Sequence, residues 1–401
     1  MAIKKPKYID VFAGCGGLSV GLHLAGWKGL FAIERNPDAF STLKANLIDD
    51  KKHFEWPDWL PQKAWDIQKL LKEKSEILIG LRSKVDLVVG GPPCQGFSMA
   101  GRRKKSDKRN QLVHSYLKFV ELVQPRAILF ENVRGFTMKF KAKEGDGIDY
   151  SQIVIEELKK LGYADAYGKI VDMADYGVPQ RRERFIVIAT RNNLTKGIFS
   201  SLENITKEFL LAKGIPGKNT ARAALSDLEK RHGMIPCPDK KGFKSGITAR
   251  STTGIQRHLR TGQRKPSPNS HRFVNHTAEA KRVFGKLLAS APRNKTIAGD
   301  ERARYGLKKR SVKVLDPNDV APTVTTIPDD FIHYSEPRVM TVRECARLQS
   351  FPDWFKFKGP YTTGGKRRAH QTPRYTQVGN AVPPLFAEII GLATKKAIQN
   401  V

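Results

Sequence analysis

The chain has 401 residues, 40% of them apolar, and 71 lysines and arginines against 39 aspartates and glutamates give a formal net charge of +32. Length and composition exclude a disordered or collagen-like chain, and no apolar run approaches the roughly 18 residues of a membrane span, so a soluble protein of two or three domains with no membrane association is expected. The charge points to a polyanionic partner, while cysteines at 15, 94, 237 and 345 are too scattered for a zinc site or a disulfide framework.

The first 190 residues alternate short apolar runs with amphipathic stretches. YIDVFA (8–13) reads as a buried strand, LSVGLHLAG (18–26) as a helix ending at Gly26, and GLFAIE (29–34) as the next strand. NPDAFSTLKAN (36–46) reads as a helix with Asn36 as N-cap and Pro37 in its first position. VDLVVG (85–90), AILFEN (127–132) and RFIVIAT (184–190) are further strands, separated by the helices QLVHSYLKFVELV (111–123) and SQIVIEELKKLGY (151–163), the latter with Ser151 as N-cap and Gly162 just past its end. Strand alternating with helix predicts an α/β fold, a doubly wound, mostly parallel sheet of Rossmann-like type. Beyond about residue 195, Gly, Pro, Ser, Thr and basic residues weaken the periodicity, so a smaller, loop-rich domain is expected there. Within it, residues 229–310 hold 21 basic and 5 acidic residues, a net +16 and half of the chain's excess. That segment is expected to lie on phosphates. Further on, TVRECARLQSF predicts a helix with Thr341 as N-cap and Glu344 completing a capping box. The opening MAIKKPKYIDVF has neither an apolar h-region nor a cleavage-site pattern, which suggests a cytoplasmic protein that begins almost at its first strand.

Ligands of such sheets bind at the carboxyl ends of the strands. DVFAGCGGLS brings Gly14, Gly16 and Gly17 there, and Glu34 ends the next strand where a carboxylate would accept ribose hydroxyls. The spacing is not GxGxxG, which favours an adenosine ligand over a dinucleotide and argues against a nicotinamide dehydrogenase. Asp66 is either a partner for an adenine amino group or a helix N-cap. GGPPCQGFS (90–98) sets Cys94 on a turn stiffened by prolines and cleared by glycines, and GRRKKSDKR (101–109) follows with six basic residues and one acidic.

Taken together these motifs resemble the cytosine-C5 DNA methyltransferases that use S-adenosylmethionine. The resemblance rests on DVFAGCGG (10–17), Glu34, DI (66–67), GGPPCQGFS, ENV (131–133), QRRER (180–184), RVMTVRECARLQSFP (338–352) and QVGNAVPP (377–384), all in the family's order. It implies Cys94 as the thiol that adds to carbon 6 of cytosine, and Glu131 as the carboxyl at N3, to which it donates only when protonated. It further implies Arg182 on the base's O2 and supporting Glu131, with Arg184 behind it; for Arg181 an exposed salt bridge is expected. Phe12, Gly14, Gly16, Glu34, Asp66, Ile67, Pro93, Leu112, Asn380 and Val382 are expected to hold the methyl donor. The last two imply a C-terminal segment folded back on a discontinuous large domain, residues 1–190 plus 365–401, with 191–364 as the target-recognition domain.

Double-stranded DNA is the implied partner, and its target base must be flipped out to be reached. Gln95, Ser98, Arg102, Arg103, Lys104, Lys105 and Arg109 are the candidate DNA contacts beside the thiol. TARST (248–252) and RHLRTGQRK (257–265) are candidate base-reading loops, whereas NHT (275–277) and VAPTVTT (320–326) resemble family framework. Such compact enzymes resemble the modification half of restriction-modification systems, which makes a cognate endonuclease a genetic partner, and a monomer suffices. The alternatives are a tRNA cytosine-C5 methyltransferase, for which a Cys-Phe-Thr segment beyond QRRER is missing, and a catalytically silent DNA-binding regulator. No metal is implied.

Overall fold

The computed structural model describes residues 5–93, 110–138, 149–263, 265–307, 309, 311–363 and 370–399. Six strands, β1 (Lys7–Val11), β2 (Lys28–Ile33), β3 (Leu87–Gly90), β4 (Ala127–Val133), β5 (Tyr167–Asp172) and β6 (Glu183–Thr190), form one sheet in the order β2-β1-β3-β4-β6-β5. β1 pairs in parallel with β2 and β3, and β3 with β4, whereas β6 runs antiparallel to β4 and β5. Every residue of β3 is buried. A continuous apolar run is what a strand covered on both faces requires. The chain steps from β1 out to β2 and then back across to β3, so the strand order reverses beside β1, and the crevice at those carboxyl ends is the favoured ligand position.

Helices α1 (Gly17–Leu24), α2 (Pro37–Leu43), α3 (Ile67–Ile79), α4 (Asn110–Val123) and α5 (Tyr150–Lys160) lie between the strands. Asn36 caps α2 as expected, its Oδ1 accepting from the backbone of Asp38 at 2.9 Å and Ala39 at 3.1 Å, and a π-helical stretch, Lys44–Asp50, carries the helix past its expected end. The cap of α5 is Asp149 rather than Ser151. The Asp149 carboxylate accepts from the backbone of Ser151 at 2.9 Å and of Gln152 at 3.3 Å, and from the Ser151 hydroxyl at 2.6 Å. A carboxylate at a helix N-terminus also meets the dipole, which a hydroxyl does not.

Among the elements that the sequence did not predict are β5 and α6 (Thr195–Lys213). β5 is an edge strand in which only Val171 is fully buried, so it lacks the apolar run of its neighbours. α6 is a 19-residue helix through a stretch read as loop-rich, with Ile198, Leu202, Thr206 and Leu210 buried at four-residue spacing.

The chain divides into two compact units, one of Met1–Asp172, Glu183–Lys207 and Phe386–Val401, the other of Met173–Arg182 and Glu208–Leu385. Residues 173–182 and 365–385 therefore group with the second unit, and 191–207 with the sheet, opposite to the limits expected from sequence. In the first unit the end of the chain returns to the sheet: Trp27 Nε1 donates to the Gly391 carbonyl at 2.9 Å and Arg126 Nη2 to that of Ile398 at 2.8 Å.

The second unit contains α7 (Ala221–Leu225), the antiparallel pair β7 (Met234–Pro236) and β8 (Lys244–Gly246), α8 (Gly254–Arg260), α9 (Ala278–Ser290) and α10 (Glu301–Tyr305). β9 (Thr296–Ala298), β10 (Ser311–Val314) and β11 (Phe331–Ile332) form a small sheet, followed by α11 (Val342–Leu348), α12 (Arg374–Asn380) and α13 (Pro384–Gln399), the last of which runs on into the first unit. Thr341 and Glu344 make the expected capping box of α11. Buried charge organises this helix. Glu344 takes two hydrogen bonds from Arg338, at 2.8 and 2.6 Å. Burial alone would raise the Glu344 carboxyl, but the Arg338 guanidinium overrides it and holds the group well below the usual carboxylate range. On the next turn all five N–H groups of Arg347 are used: Nε on Asp353 at 3.0 Å, Nη1 on Asp227 at 2.5 Å and the Ala224 carbonyl at 2.9 Å, Nη2 on Asp227 at 3.1 Å and Asp353 at 2.6 Å.

Desolvation pushes His53 and His333 down to about 3, and His258, His271 and His276 to about 4. These folded values lie below the ~6.5 of an unfolded histidine, so between the two the unfolded chain binds more protons. Stability is therefore full above about pH 6.5 and is lost as pH falls toward 4. Thermal melts at descending pH are expected to show a falling Tm across that window; a flat Tm from pH 7 to pH 5 would contradict this.

Candidate active site

Where β1 ends, the backbone turns sharply. Phe12, Gly14 and Gly16 all have positive φ, at 64°, 57° and 97°. For a bulky residue such as Phe12 that conformation is strained, and strain of this kind gathers at functional sites. A Cβ built on Gly14 would meet nothing within 4 Å, so the turn leaves open space on that side. Its backbone N–H donates to Glu34 Oε2 at 2.9 Å, while Asn36 N–H donates to Oε1 at 2.6 Å. Burial pushes the Glu34 carboxyl up, and those two backbone bonds work against the shift.

The neighbouring loop is tied to the same place: Trp65 N–H donates to the Glu34 carbonyl at 2.8 Å. Asp66 is the N-cap of α3, its Oδ1 accepting from Gln68 at 2.8 Å and Lys69 at 3.3 Å, and Ile67 is buried behind it. The structure thus brings Phe12, Gly14, Gly16, Glu34, Asp66 and Ile67 together around the ends of β1 and β2. Leu112 packs partly buried against the main core from the first turn of α4. Asn380 closes α12 and Val382 is buried, both in the second unit. Behind the turn, Asp10 accepts from the Ser19 hydroxyl at 2.5 Å, and burial pushes its carboxyl up to about 7.

Cys94, Gln95, Ser98, Arg102, Arg103, Lys104, Lys105 and Arg109 lie outside the described residues. The approach to Cys94 is described as far as Pro93, which is exposed. A Cβ on Gly91 would stand 2.7 Å from Glu131 Oε2, too close unless the carboxylate moves. The loop therefore passes directly against the Glu131 carboxylate three residues before the cysteine. Asn132 fixes it there, its amide donating to the Pro92 carbonyl at 3.4 Å.

Glu131 pairs with Arg184, Nε to Oε1 at 2.9 Å, with both side chains 13% exposed. The antiparallel register explains the partner. Glu131 stands opposite Ile186 and Val133 opposite Arg184, so Glu131 and Arg184 are diagonal neighbours on one face of the sheet. Arg184, expected behind Arg182, thus makes a direct ion pair with Glu131. Arg182 precedes the strand and belongs to the second unit, where it is 2% exposed and its Nη2 donates to the Gly379 carbonyl at 3.0 Å. Arg181 forms the expected exposed pair, with Asp319 at 3.3 Å. Sequence reasoning missed Gly91 and Asn132 as positioning residues; ENV and GGPP carry them, but only the fold shows that they meet.

Gly91→Ala is expected to push the Glu131 carboxylate away from Arg184, which a crystal structure of the variant reads directly; an unmoved carboxylate would show that the close approach does not position it.

TARST is a loop preceding α8, whereas RHLR is the last turn of α8, with Leu259 fully buried. Among the described residues no group of three histidine, cysteine or acidic side chains could hold a metal ion, and no helix is long and apolar enough to cross a membrane.

Comparison with known proteins places the chain in a family. Residues 6–396 match the model of the C-5 cytosine-specific DNA methylases. A type II methyltransferase of Haemophilus parahaemolyticus, M1.HphI, is 32% identical, the alignment covering 98% of this chain and 87% of that protein. M.XorII of Xanthomonas oryzae pv. oryzae, also a type II methyltransferase, is 29% identical with 99% and 86% covered. Among solved structures, a chain described as a DNA modification methyltransferase encoded within an Escherichia coli prophage superposes with a TM-score of 0.67 at 25% identity, covering 98% of this chain and all of that one. The protein belongs to the C-5 cytosine-specific DNA methylase family and is a DNA (cytosine-5-)-methyltransferase.

Proposed function

We propose that the protein flips one cytosine out of a short sequence in duplex DNA and methylates its carbon 5, with Cys94 as nucleophile and Glu131 at the base's N3. The observation that carries this reading is the Gly91–Pro93 loop against the Glu131 carboxylate, which is itself held by Arg184. Cys94 follows that loop directly in sequence, which supports its pairing with Glu131 in the chemistry.

Carbon 5 of cytosine is a poor nucleophile. Addition of the Cys94 thiolate at carbon 6 breaks the aromaticity and makes carbon 5 enamine-like. Glu131 meets the charge that develops toward N3, and Arg184 holds that carboxyl in place on the sheet. Once carbon 5 has taken the methyl group, loss of its proton expels the thiolate and restores both the ring and Cys94.

S-adenosylmethionine supplies the methyl group from its sulfonium when bound. The residues suit it: the open side of Gly14 admits a ligand against the backbone, and each Glu34 oxygen, holding one backbone N–H, keeps an acceptor position for a ribose hydroxyl. Phe12, Asp66 and Ile67 border that space, and Pro93, Leu112, Asn380 and Val382 are assigned to it by family position. The basic residues Arg102, Arg103, Lys104, Lys105 and Arg109, with Gln95 and Ser98, are assigned to DNA. The type II relatives make a cognate restriction endonuclease the expected genetic partner.

DNA carrying 5-fluorocytosine tests the mechanism, because fluorine cannot leave as a proton does and the thiol stays attached. With the methyl donor present, the wild type is expected to form an adduct that survives denaturation and maps by mass spectrometry to the peptide of Cys94. An adduct at another residue, or on tRNA alone, would refute the proposal.

A further inference from the structure

In the second unit, residues 247–253 form a loop that is tied down at both flanks. Thr248 N–H donates to the Pro266 carbonyl and Ala249 N–H to that of Asp227, both at 2.8 Å. Thr252 N–H donates to Gln256 Oε1 at 2.8 Å, the same side chain that completes the capping box of α8. From the end of α8, Arg260 reaches back to the Ala249 carbonyl, to the Ser251 hydroxyl at 3.2 Å and to Asp227 at 3.7 Å. Asp227 is buried and clasped by Arg347. The loop is therefore braced onto the buried ion network of α11.

Between these ties sits Arg250, exposed, with no hydrogen bond or ion pair among the described residues. Bracing a loop costs conformational entropy and gains nothing for an unpartnered arginine in the free protein. It does lower the cost of ordering when that arginine must meet a ligand in one geometry. A guanidinium is a planar fork of five donors, and the edge it matches in the DNA major groove is guanine, with acceptors at O6 and N7. Lys240 and Lys241, exposed on the turn between β7 and β8, have the compact charge that suits phosphates instead.

We propose that Arg250 is a specificity-determining residue that reads a guanine of the recognition sequence in the major groove, and that Arg260 is the positioning residue that holds its loop. The proposal rests on the DNA methyltransferase reading above.

The test uses the full-length enzyme on duplexes containing its own target site, with each guanine replaced in turn by 7-deazaguanine, which lacks the N7 acceptor. The wild type is expected to lose kcat/KM about tenfold to a hundredfold at one guanine in particular. Arg250→Ala should start lower by that factor and be indifferent to that one replacement while keeping the penalties elsewhere. Arg250→Lys, which keeps the charge, should behave the same way with an unchanged salt dependence. Arg260→Ala should shrink the same penalty with kcat at saturating DNA within twofold of wild type. If Arg250→Ala keeps the wild-type penalty at every guanine, or weakens all sequences equally as loss of a phosphate contact would, the proposal is wrong. A wild type that methylates no DNA would instead sink the functional reading on which the proposal stands.

Discussion

Glu131→Gln is expected to lower the rate of methyl transfer by about a hundredfold to ten-thousandfold, the range lost when a positioned acid is removed, while DNA affinity stays within threefold. Glutamine fills the same space beside Gly91 and can still donate a hydrogen bond. It cannot pass a proton to N3 as a protonated Glu131 would, and its neutral amide keeps no ion pair with Arg184, whose Nε lies 2.9 Å from Glu131 Oε1. The chemistry is thereby separated from the binding, since affinity for duplex DNA comes mainly from basic residues elsewhere. Single-turnover measurement with a tritiated methyl donor reads the step directly. A rate within threefold of wild type would remove Glu131 from the mechanism.

Arg347→Met is expected to destabilise the second unit by about 3–5 kcal/mol, the cost of breaking a buried ion cluster from one side. Methionine matches much of the arginine's volume, so the effect is electrostatic. It leaves Asp227 and Asp353, both almost fully buried, facing each other without the guanidinium that satisfied them. Arg260, 3.7 Å from Asp227, and Arg343, 3.9 Å from Asp353, offset only part of the loss. A Tm lower by roughly 5–10 °C follows. Arg347→Lys should recover part of it, because the charge remains but the five-donor fork does not. An unchanged Tm in the methionine variant would show that the cluster contributes no net stability.

The first half of the fold was legible because its strands are buried on both faces, and burial writes itself into the sequence as runs such as LVVG. The caps were legible where one polar side chain stands before a proline or completes a box, as Asn36 and Thr341 do. They misled where two capping types stood two residues apart: Asp149, not Ser151, accepts from the first-turn N–H groups of α5. β5 and α6 were missed for different reasons: an edge strand buries too little to leave a period, and the buried stripe of α6 is interrupted by the polar Thr206 while Gly197 and Ser200 on its outer face read as loop.

In the site, motif spacing singled out Glu34, Glu131, Arg182 and Arg184 as candidates. That Arg184 pairs directly with Glu131 follows from the register between β4 and β6, and a pattern of residues does not contain that. The Arg347 cluster joins residues 120 positions apart. Nothing local marks such a partnership.

The central claim is that this chain methylates cytosine in one short DNA context through Cys94. Bisulfite sequencing of DNA from a methylation-deficient host tests it most directly, comparing cells that express the wild type with cells that express Cys94→Ser. The account predicts conversion-resistant cytosines confined to one recurring sequence in the first and complete conversion in the second. Complete conversion in both, with soluble wild-type protein present, or protected cytosines that persist in the serine variant, would contradict it.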